Sequence, residues 1–288
     1  MHHAGLVSVV VPTRNAARTL DACLQSIKSQ TYGRVELVVV DNHSSDATPE
    51  IAQGYADIFE TSGPERSAQR NRGASVSTGD YFLFVDADMT LDPRVVEDCV
   101  RATLESESPG VIIPESSVGE GFLARCRALE RSCYLGDDSI EAARFFPREA
   151  FQESGGFDEN LDAMEDWDLS IRIARGRSLP RTASQIEHDE GHLRIGPLLA
   201  KKYRYAGSSL RYIDKHGKRT IGQANLVFRP AFIRSWRRLV RHPLLTVGFL
   251  SLKGLEAGAV ASGAVVSKVR MGGSRGVAPK TGSGRPLS

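Results

Sequence analysis

Residues 79–88 read Gly-Asp-Tyr-Phe-Leu-Phe-Val-Asp-Ala-Asp, an apolar run that ends in two carboxylates one residue apart. Such a run is typical of a strand that is buried on both faces of a sheet. Val7–Val11 and Glu36–Asp41 are similarly rich in valine, and the second of them also ends in an acid. These stretches predict a mostly parallel sheet with Asp41 and Asp86 at the carboxyl ends of strands, where ligands bind in such sheets.

Segments with helical periodicity alternate with these strands. Helices are expected at Asn15–Gln30, Asp46–Tyr55, Glu65–Ser77 and Pro93–Glu107, with a weak strand at Asp57–Glu60. This alternation predicts an α/β fold with helices on both faces of the sheet. Further on, strands are expected at Val111–Pro114, Ala143–Phe146 and Gln185–His188, and helices at Gly121–Tyr134, Asp166–Ala174 and Leu198–His216.

The overall composition is that of a soluble globular protein. The chain has 288 residues, of which 41% are hydrophobic and 25% are charged. These values exclude a disordered chain, a collagen-like structure and a disulfide scaffold. The 4 cysteines include no C-x-x-C pair, which argues against a zinc ribbon and fits a reducing compartment. Leu6–Val11 is too short for the apolar core of a secretory leader, so none is expected.

Charge is divided unevenly along the chain. Residues 1–193 carry 18 Lys and Arg against 33 Asp and Glu, whereas residues 194–288 carry 19 against only two acids. A basic end suggests an anionic partner, which could be a membrane surface, a nucleic acid or a phosphorylated substrate. The alternative is that the acidic and basic parts neutralise each other within one fold.

The basic end is followed by an apolar segment. Arg194–Arg241 contains 13 Lys and Arg, with aromatic residues between them. This mixture is typical both of nucleic-acid binders and of amphipathic helices on anionic membranes. Leu244–Val266 favours the membrane, but Lys253 and Glu256 near its centre argue against a clean transmembrane span. We expect an interfacial or hairpin helix; a true span, or a helix packed on the catalytic domain or a dimer partner, are the alternatives.

Two acidic pairs are candidates for chemistry. The carboxylates of Asp86 and Asp88 could bind Mg²⁺ or Mn²⁺, which would neutralise a diphosphate leaving group. Such a pair also occurs by chance on exposed turns, but the preceding apolar strand favours the metal. Glu165 and Asp166 lie at a predicted helix start, where an acid could act as general base toward a hydroxyl. The alternative is that these two acids only complement the helix dipole.

Together these stretches resemble the family 2 glycosyltransferases of the GT-A fold, which is a Rossmann-like, mostly parallel sheet flanked by helices. The resemblance covers about two thirds of the chain, from Val7 to about His188. It is carried, in order, by VVVPTRN at 9–15, VVVDNHSSDAT at 38–48, AQRNRG at 68–73, residues 79–88, and GGFDE at 155–159 leading to EDWDL at 165–169. It implies an inverting, hexosyltransferase-type enzyme that moves a sugar from a UDP- or GDP-sugar to an acceptor hydroxyl, assisted by Mn²⁺ or Mg²⁺, without a covalent intermediate.

The resemblance also implies a role for individual residues. The nucleotide-sugar would be bound by Pro12, Thr13, Arg14, Asp41, Arg70 and Asp86, with Asp41 on the base, Arg70 at the diphosphate or ordering the metal loop, and Asp86 at the ribose or the metal. The metal would be held by Asp88, Asp86 and His188, with His192 as a substitute for His188. Asp166 would deprotonate the acceptor, with Glu165 as its neighbour or substitute.

The predicted organisation has three parts. Residues 1–193 form the catalytic domain, with a nucleotide-sugar half at about 1–110 and an acceptor half at about 111–193. Residues 194–270 form a basic, amphipathic, helical, membrane-associating extension, and residues 271–288 a disordered tail rich in Gly, Pro, Ser and Lys. The enzyme is expected peripherally at the cytoplasmic face of the cell membrane, in cell-envelope glycan biosynthesis, with a lipid-linked or glycan acceptor; a nucleic-acid partner is disfavoured.

Two other functions remain open. A sugar nucleotidyltransferase also uses acids and Mg²⁺ on a similar sheet, but its Gly- and Lys-rich opening loop is missing after Val11. A non-catalytic basic scaffold bound to a membrane or to nucleic acid would need a decayed site, whereas Asp41, Asp86, Asp88 and Asp166 are all present.

Overall fold

The computed structural model describes residues 5–217, 220, 223 and 229–274, and within this part of the chain nine strands form two sheets. The larger sheet has the order β3-β2-β1-β4-β8-β6, and the smaller sheet has the order β5-β9-β7. In chain order the strands are β1 (Val7–Thr13), β2 (Val35–Asp41), β3 (Ile58–Thr61), β4 (Tyr81–Phe84), β5 (Met89–Leu91), β6 (Val111–Ile112), β7 (Glu115–Glu120), β8 (Ala143–Pro147) and β9 (Ile186–His192).

Helices lie between these strands and after the last of them. The described helices are α1 (Leu20–Lys28), α2 (Thr48–Tyr55), α3 (Arg66–Val76), α4 (Val95–Ser106), α5 (Gly121–Ser132), α6 (Arg148–Glu153), α7 (Glu165–Ala174), α8 (Ile195–His216), α9 (Pro230–Arg234), α10 (Trp236–Arg241) and α11 (Pro243–Ser274). The predicted α/β fold with a mostly parallel sheet is confirmed. In the larger sheet β1, β2, β3 and β4 are parallel, and only β8 and β6 bring antiparallel pairing.

The central strands are buried on both faces, as their valine-rich composition predicts. Alternate residues of β1 enter different clusters: Val9 packs with α1 and α4, whereas Val10 packs with α3, α6 and α7. Because successive side chains of a strand point to opposite faces, one strand contributes to both apolar layers. The sheet is therefore a rigid platform whose carboxyl edge carries the loops of the candidate site.

Three predicted elements differ from the structure. The first helix begins at Leu20 rather than Asn15, because residues 15–19 form a loop in which Asn15 has a left-handed φ of 49°. β4 ends at Phe84, so Asp86 lies in the following loop rather than in the strand. The expected strand at Val111–Pro114 is only Val111–Ile112.

The smaller sheet was not predicted, except for β9. β5 has three residues and β7 reads ESSVGE, so neither has a recognisable apolar pattern. β5 pairs antiparallel with β9 and places Met89 opposite His188. This pairing brings the loop that carries Asp88 next to His188, although the two residues are a hundred positions apart in the chain.

The C-terminal helices pack against the rest of the protein. α11 lies along α8 and also contacts α5. Gly263 allows the close approach, since a Cβ at that position would lie 2.3 Å from the backbone oxygen of Tyr203 on α8. The expected helix at Leu244–Val266 is present and extends to Ser274, so the predicted disordered tail begins within α11; residues 275–288 lie outside the described part of the chain.

Candidate active site

Two loops at the carboxyl edge of the sheet are joined by hydrogen bonds. Thr13 Oγ1 donates to Asp41 Oδ1 at 2.9 Å, and the backbone nitrogen of Ser44 donates to Asp41 Oδ2 at 2.8 Å. Asn15 donates its backbone N–H to Ser44 Oγ at 2.8 Å. The carboxylate of Asp41 is only 2% exposed and thus fixes the end of β1 to the loop after β2.

Helix α3 supplies three consecutive residues that assemble the site. Gln69 Nε2 donates to the backbone oxygens of Thr13 and Val40, at 2.9 and 2.6 Å. Asn71 exchanges two hydrogen bonds of 2.9 Å with the backbone of Phe157, which fixes the turn before α7. Arg70, between them, points to the centre of the site. The motif AQRNRG therefore organises both the strand edge and the start of α7.

Arg70 connects three carboxylates from distant parts of the chain. Its Nη2 donates to Asp86 Oδ1 at 2.7 Å, and its Nη1 donates to Asp166 Oδ1 at 2.8 Å and to Glu165 Oε1 at 3.3 Å. The guanidinium is fully buried and also lies over the ring of Phe157, 5.0 Å from the centroid. A buried cation needs such compensation, since desolvation of an unpaired charge is very costly.

The arginines around this cluster set the charge of its acids. Burial alone would raise the pKa of Asp86, but the charges of Arg70 and Arg144 outweigh it and hold the pKa well below its usual range. Burial raises the pKa of Glu165, and the neighbouring charge of Asp166 raises it further against the opposing charges of Arg66 and Arg70. Asp86 is thus a firm anion, whereas Glu165 is more readily protonated.

Asp166 and Glu165 differ in access to solvent. The side chain of Glu165 is 4% exposed and its Oε1 is held by both Arg70 and Arg66. The side chain of Asp166 is 28% exposed, and Arg70 occupies only its Oδ1. No donor among the described residues binds Asp166 Oδ2. Asp166 therefore keeps one carboxylate oxygen accessible, whereas Glu165 is buried and binds the two arginines.

Asp88 and His188 form a second polar pair. His188 Nε2 lies 3.1 Å from Asp88 Oδ2, and Asp88 is 44% exposed at the side chain. Burial lowers the pKa of His188, but the hydrogen bond and charge of Asp88, with the charge of Glu190, outweigh it and raise the pKa above its ordinary value. Among the described residues His188 Nδ1 has no hydrogen-bond partner, since Glu190 Oε1 is 3.6 Å away.

The Asp88–His188 pair fits two positions in the shell of a divalent cation. Adjacent ligands of an octahedral cation at about 2.0–2.1 Å are about 3 Å apart, close to the separation seen here. Asp86 is not part of this pair, because Arg70 and Arg144 lie against its two oxygens. Among the described residues no three His, Cys, Asp or Glu side chains converge to hold a metal. The predicted set Asp86, Asp88 and His188 is therefore not a preformed three-residue site.

A cavity of ≈ 790 Å³ joins these groups. Of the residues predicted from sequence, those that line it are Pro12, Thr13, Arg14, Asp86, Asp88, Glu165, Asp166 and His188. Arg70 and Asp41 are buried, and neither lines it. His192, the substitute ligand, is exposed beside Glu120 and does not line the cavity either.

The cavity also has charged residues that the sequence did not single out. Arg144 Nε lies 2.5 Å from Glu115 Oε1. Its buried Nη1 lies 3.7 Å from Asp86 Oδ2 and has no hydrogen-bond partner in the part of the chain that the structure describes. Lys201 and Lys202 of α8 and Lys253 of α11 also line the cavity. The basic composition of the C-terminal region was the only sequence signal for the three lysines, and no motif placed them, or Arg144, beside Asp88 and Asp166.

Comparison with protein families and known proteins agrees with this geometry. The family model described as glycosyl transferase family 2 matches residues 8–183. A PGL/p-HBAD biosynthesis glycosyltransferase of Mycobacterium bovis is 30% identical over 179 residues, which cover 59% of this chain and 70% of that protein. The uncharacterized glycosyltransferase YibD of Escherichia coli is 32% identical over 113 residues, 37% of this chain, and the match spans only 33% of YibD.

Two solved structures share the fold over most of the chain. Residues 1–349 of Staphylococcus aureus TarS, in complex with UDP-GlcNAc, align with a TM-score of 0.54 at 16% identity, over 93% of this chain and 92% of that one. The mannosyltransferase PcManGT of Pyrobaculum calidifontis, in complex with GDP-Man and Mn²⁺, aligns with a TM-score of 0.55 at 22% identity, over 95% and 80%. At these identities the likeness is one of fold.

Proposed function

The chain belongs to glycosyl transferase family 2 and is a glycosyltransferase with a GT-A fold, and from this premise we propose that it transfers a hexosyl sugar from a UDP- or GDP-sugar to an acceptor hydroxyl with inversion. The observation that carries this proposal is the open Oδ2 of Asp166, in a cavity that also contains the Asp88–His188 pair. One group could accept a proton, and the other could hold a diphosphate through a cation.

Asp166 is proposed as the general base. Arg70 orients its carboxylate through Oδ1, so that Oδ2 can take the proton of an acceptor hydroxyl as that oxygen attacks the anomeric carbon. The nucleoside diphosphate leaves from the opposite side of the sugar in the same step. Since no covalent intermediate forms, the reaction needs no nucleophilic side chain. The four cysteines are all buried, which is consistent with their having no part in it.

Donor binding is proposed for the residues at the ends of β1, β2 and β4. Pro12, Thr13 and Arg14 line the cavity and would contact the nucleotide. Asp41 holds the loop on which the base would lie, and Asp86 would contact the ribose. The fold-related TarS and PcManGT are in complex with UDP-GlcNAc and GDP-Man respectively, which supports a nucleotide-sugar donor and leaves both nucleotides open.

Mn²⁺ or Mg²⁺ is proposed as the cofactor, held by Asp88 and His188 together with the donor diphosphate. When bound, the cation would neutralise the charge that develops on the leaving diphosphate. The complex of PcManGT with Mn²⁺ supports this proposal. Asp86 would not bind the cation: its Oδ1 keeps Arg70 in place, which leaves Oδ2, on the cavity side, for the ribose.

The acceptor and the cellular location are also proposals. We propose a catalytic domain at residues 1–193, a basic helical extension at 194–270 that associates with anionic membrane, and a tail at 271–288. The enzyme would then act peripherally at the cytoplasmic face of the cell membrane, on a lipid-linked or glycan acceptor of the cell envelope. Among the described residues, one apolar helix at Pro243–Lys268 is long enough to interact with a bilayer, which supports this placement.

The reaction can be tested with a donor panel. Nucleoside diphosphate release would be measured from UDP-, GDP- and dTDP-sugars with Mn²⁺, with Mg²⁺ and with EDTA, using a lipid extract as acceptor source. We expect metal-dependent release from one donor, and an inverted anomeric configuration in the product by NMR. Retention of configuration, or equal release in EDTA, would contradict the proposal. Asp166→Asn serves as the matched inactive control.

A further inference from the structure

Large exposed apolar side chains are concentrated near the end of the described chain. Five of them are between 64% and 78% exposed, and all lie on α9, α10 and α11: Ile233, Val240, Leu244, Val247 and Val265. Trp236, on α10, is also exposed, at 56%. In soluble monomers, a concentration of large exposed apolar side chains commonly marks an interaction site.

Along most of its length, helix α11 exposes uncharged residues and buries its charged ones, which is the reverse of an ordinary surface helix. Between Leu244 and Val265 every exposed position is uncharged, and the first exposed charge after them is Lys268. One row of these positions recurs every three or four residues: Leu244, Val247, Ser251, Gly254, Gly258, Ala261 and Val265. Its two central charges, Lys253 and Glu256, are 3% and 0% exposed. A surface helix in water normally has apolar residues inward and charges outward.

The buried charges bind α11 to α5. Lys253 Nζ lies 2.6 Å from Glu130 Oε1 and 2.8 Å from Glu256 Oε2, and Arg127 pairs with both glutamates. If α11 crossed a bilayer, α5 and α8 would have to enter it as well. α8 exposes Lys201 and Arg204, among other cations, which makes that arrangement very costly. The helix is therefore suited to lie along a membrane rather than through it.

Basic residues flank the apolar surface. Arg237 and Arg241 are exposed and form no ion pair with a described residue, and Arg237 lies 5.5 Å from the centroid of the Trp236 ring. Tryptophan and arginine beside aliphatic side chains are typical of interfacial helices. A second copy related by a twofold axis would bring like charges together, whereas an anionic bilayer would complement them.

We propose that the docking face, formed by Ile233, Trp236, Val240, Leu244, Val247 and Val265, lies flat on an anionic lipid bilayer with α11 parallel to its surface. This inference rests on the membrane part of the proposed function and is independent of the reaction. Lys253 and Val260, on other faces of the same helix, line the catalytic cavity. The membrane-bound helix is thus also a wall of the cavity, which places a lipid-linked acceptor within reach.

Vesicle flotation of the full chain tests the docking face. We expect binding to vesicles of phosphatidylcholine with phosphatidylglycerol, and much weaker binding to phosphatidylcholine alone. Leu244→Glu with Val247→Glu should reduce binding by about tenfold or more, since both charges would enter the apolar layer. Removing Arg237 and Arg241 as Gln should cost about fivefold for each charge at low salt. Leu104→Glu, at a 40% exposed position on α4, is the control that should bind normally.

The orientation of α11 needs a separate measurement. All four native cysteines are buried, so a fluorophore can be attached selectively to Val247→Cys, Gly258→Cys or Val265→Cys, which share one face of the helix. For a helix parallel to the surface, lipids brominated at shallow depth should quench all three labels similarly. A label that lies deepest at Gly258→Cys, near the middle of the helix, would mean that the helix spans the bilayer and would overturn the proposal.

Two further results would also overturn it. Equal flotation of the double glutamate variant and the wild type would show that other residues bind the membrane. A dimer in light scattering without lipid, lost in that variant, would show that the apolar face is covered by a second copy. Nucleoside diphosphate release in detergent separates these outcomes from failure of the reaction, because the docking-face variants leave the cavity residues intact.

Discussion

Arg70 donates a hydrogen bond of 2.8 Å to Asp166 from a position with no solvent exposure, and this contact joins α3 to the start of α7. The same guanidinium holds Asp86 at 2.7 Å. The proposed base and the first acid of the Asp-Ala-Asp motif are therefore fixed relative to each other by one buried cation. A side chain that serves as both a structural pivot and a support for the site should affect stability and activity together.

Arg70→Met should destabilise the protein by about 3–5 kcal/mol, since three carboxylates would lose their buried partner. Urea unfolding measures the change in free energy. The control is Arg72→Met, two positions along the same helix, where the pair with Glu60 is exposed and its loss should cost no more than about 1 kcal/mol. Similar effects of the two substitutions would show that Arg70 is not the pivot of the cluster.

Asp166→Asn should lower kcat by about 10²–10⁴-fold while leaving the Kd for the donor nucleotide nearly unchanged, because a general base acts on the acceptor in the transition state. Stopped assays of nucleoside diphosphate release give kcat, and calorimetry gives the Kd. Glu165→Gln is the matched control, since its carboxylate is buried against arginines and should affect stability more than turnover. The reverse order of effects on kcat would transfer the role of base to Glu165.

The sequence predicted the platform of this site well and its internal contacts less well. Buried parallel strands have continuous apolar composition, so β1, β2 and β4 and the acids that follow them could be located directly. The hub of Arg70 could not be derived that way, because it depends on α3, the loop after β4 and α7 converging in space. The composition of one segment does not show which carboxylates a buried arginine will pair with in the folded protein.

The metal pair and the C-terminal helices show the same limit. β5 has only three residues, and its pairing with β9, which brings Asp88 to His188, leaves no periodic signal. Lys253 and Glu256 were recognised as unsuited to a transmembrane span, but their partners Arg127 and Glu130 lie more than a hundred residues earlier. Long-range charge pairing of this kind becomes visible only when the helices are packed.

Asp88→Asn should abolish metal-dependent turnover. In the wild type, activity should also fall in acid, because His188 must be neutral to bind a cation. Asp88 raises the pKa of His188 above its ordinary value, so loss of activity should begin at a higher pH than for an ordinary histidine. The apparent midpoint should shift to lower pH as Mn²⁺ is increased, since metal and proton compete. A midpoint independent of Mn²⁺ would argue against His188 as ligand.

Acid should weaken the attachment of α11 through Glu256. Burial would raise the pKa of Glu256, but the charges of Lys202, Lys253 and Arg127 lower it from 4.5 to about 2. Because the folded-state pKa is the lower one, the stabilisation is complete above the unfolded value and is lost as pH falls from about 4.5 toward 2, by about 3 kcal/mol in total. Urea unfolding across this range measures the loss.

Two variants serve as controls for this prediction. In Glu256→Gln the pH dependence of the unfolding free energy over the same window should be smaller by that amount. Glu120→Gln, at a side chain that is 83% exposed, should follow the wild type. An unchanged acid limb in Glu256→Gln would show that the buried network is not what acid disrupts.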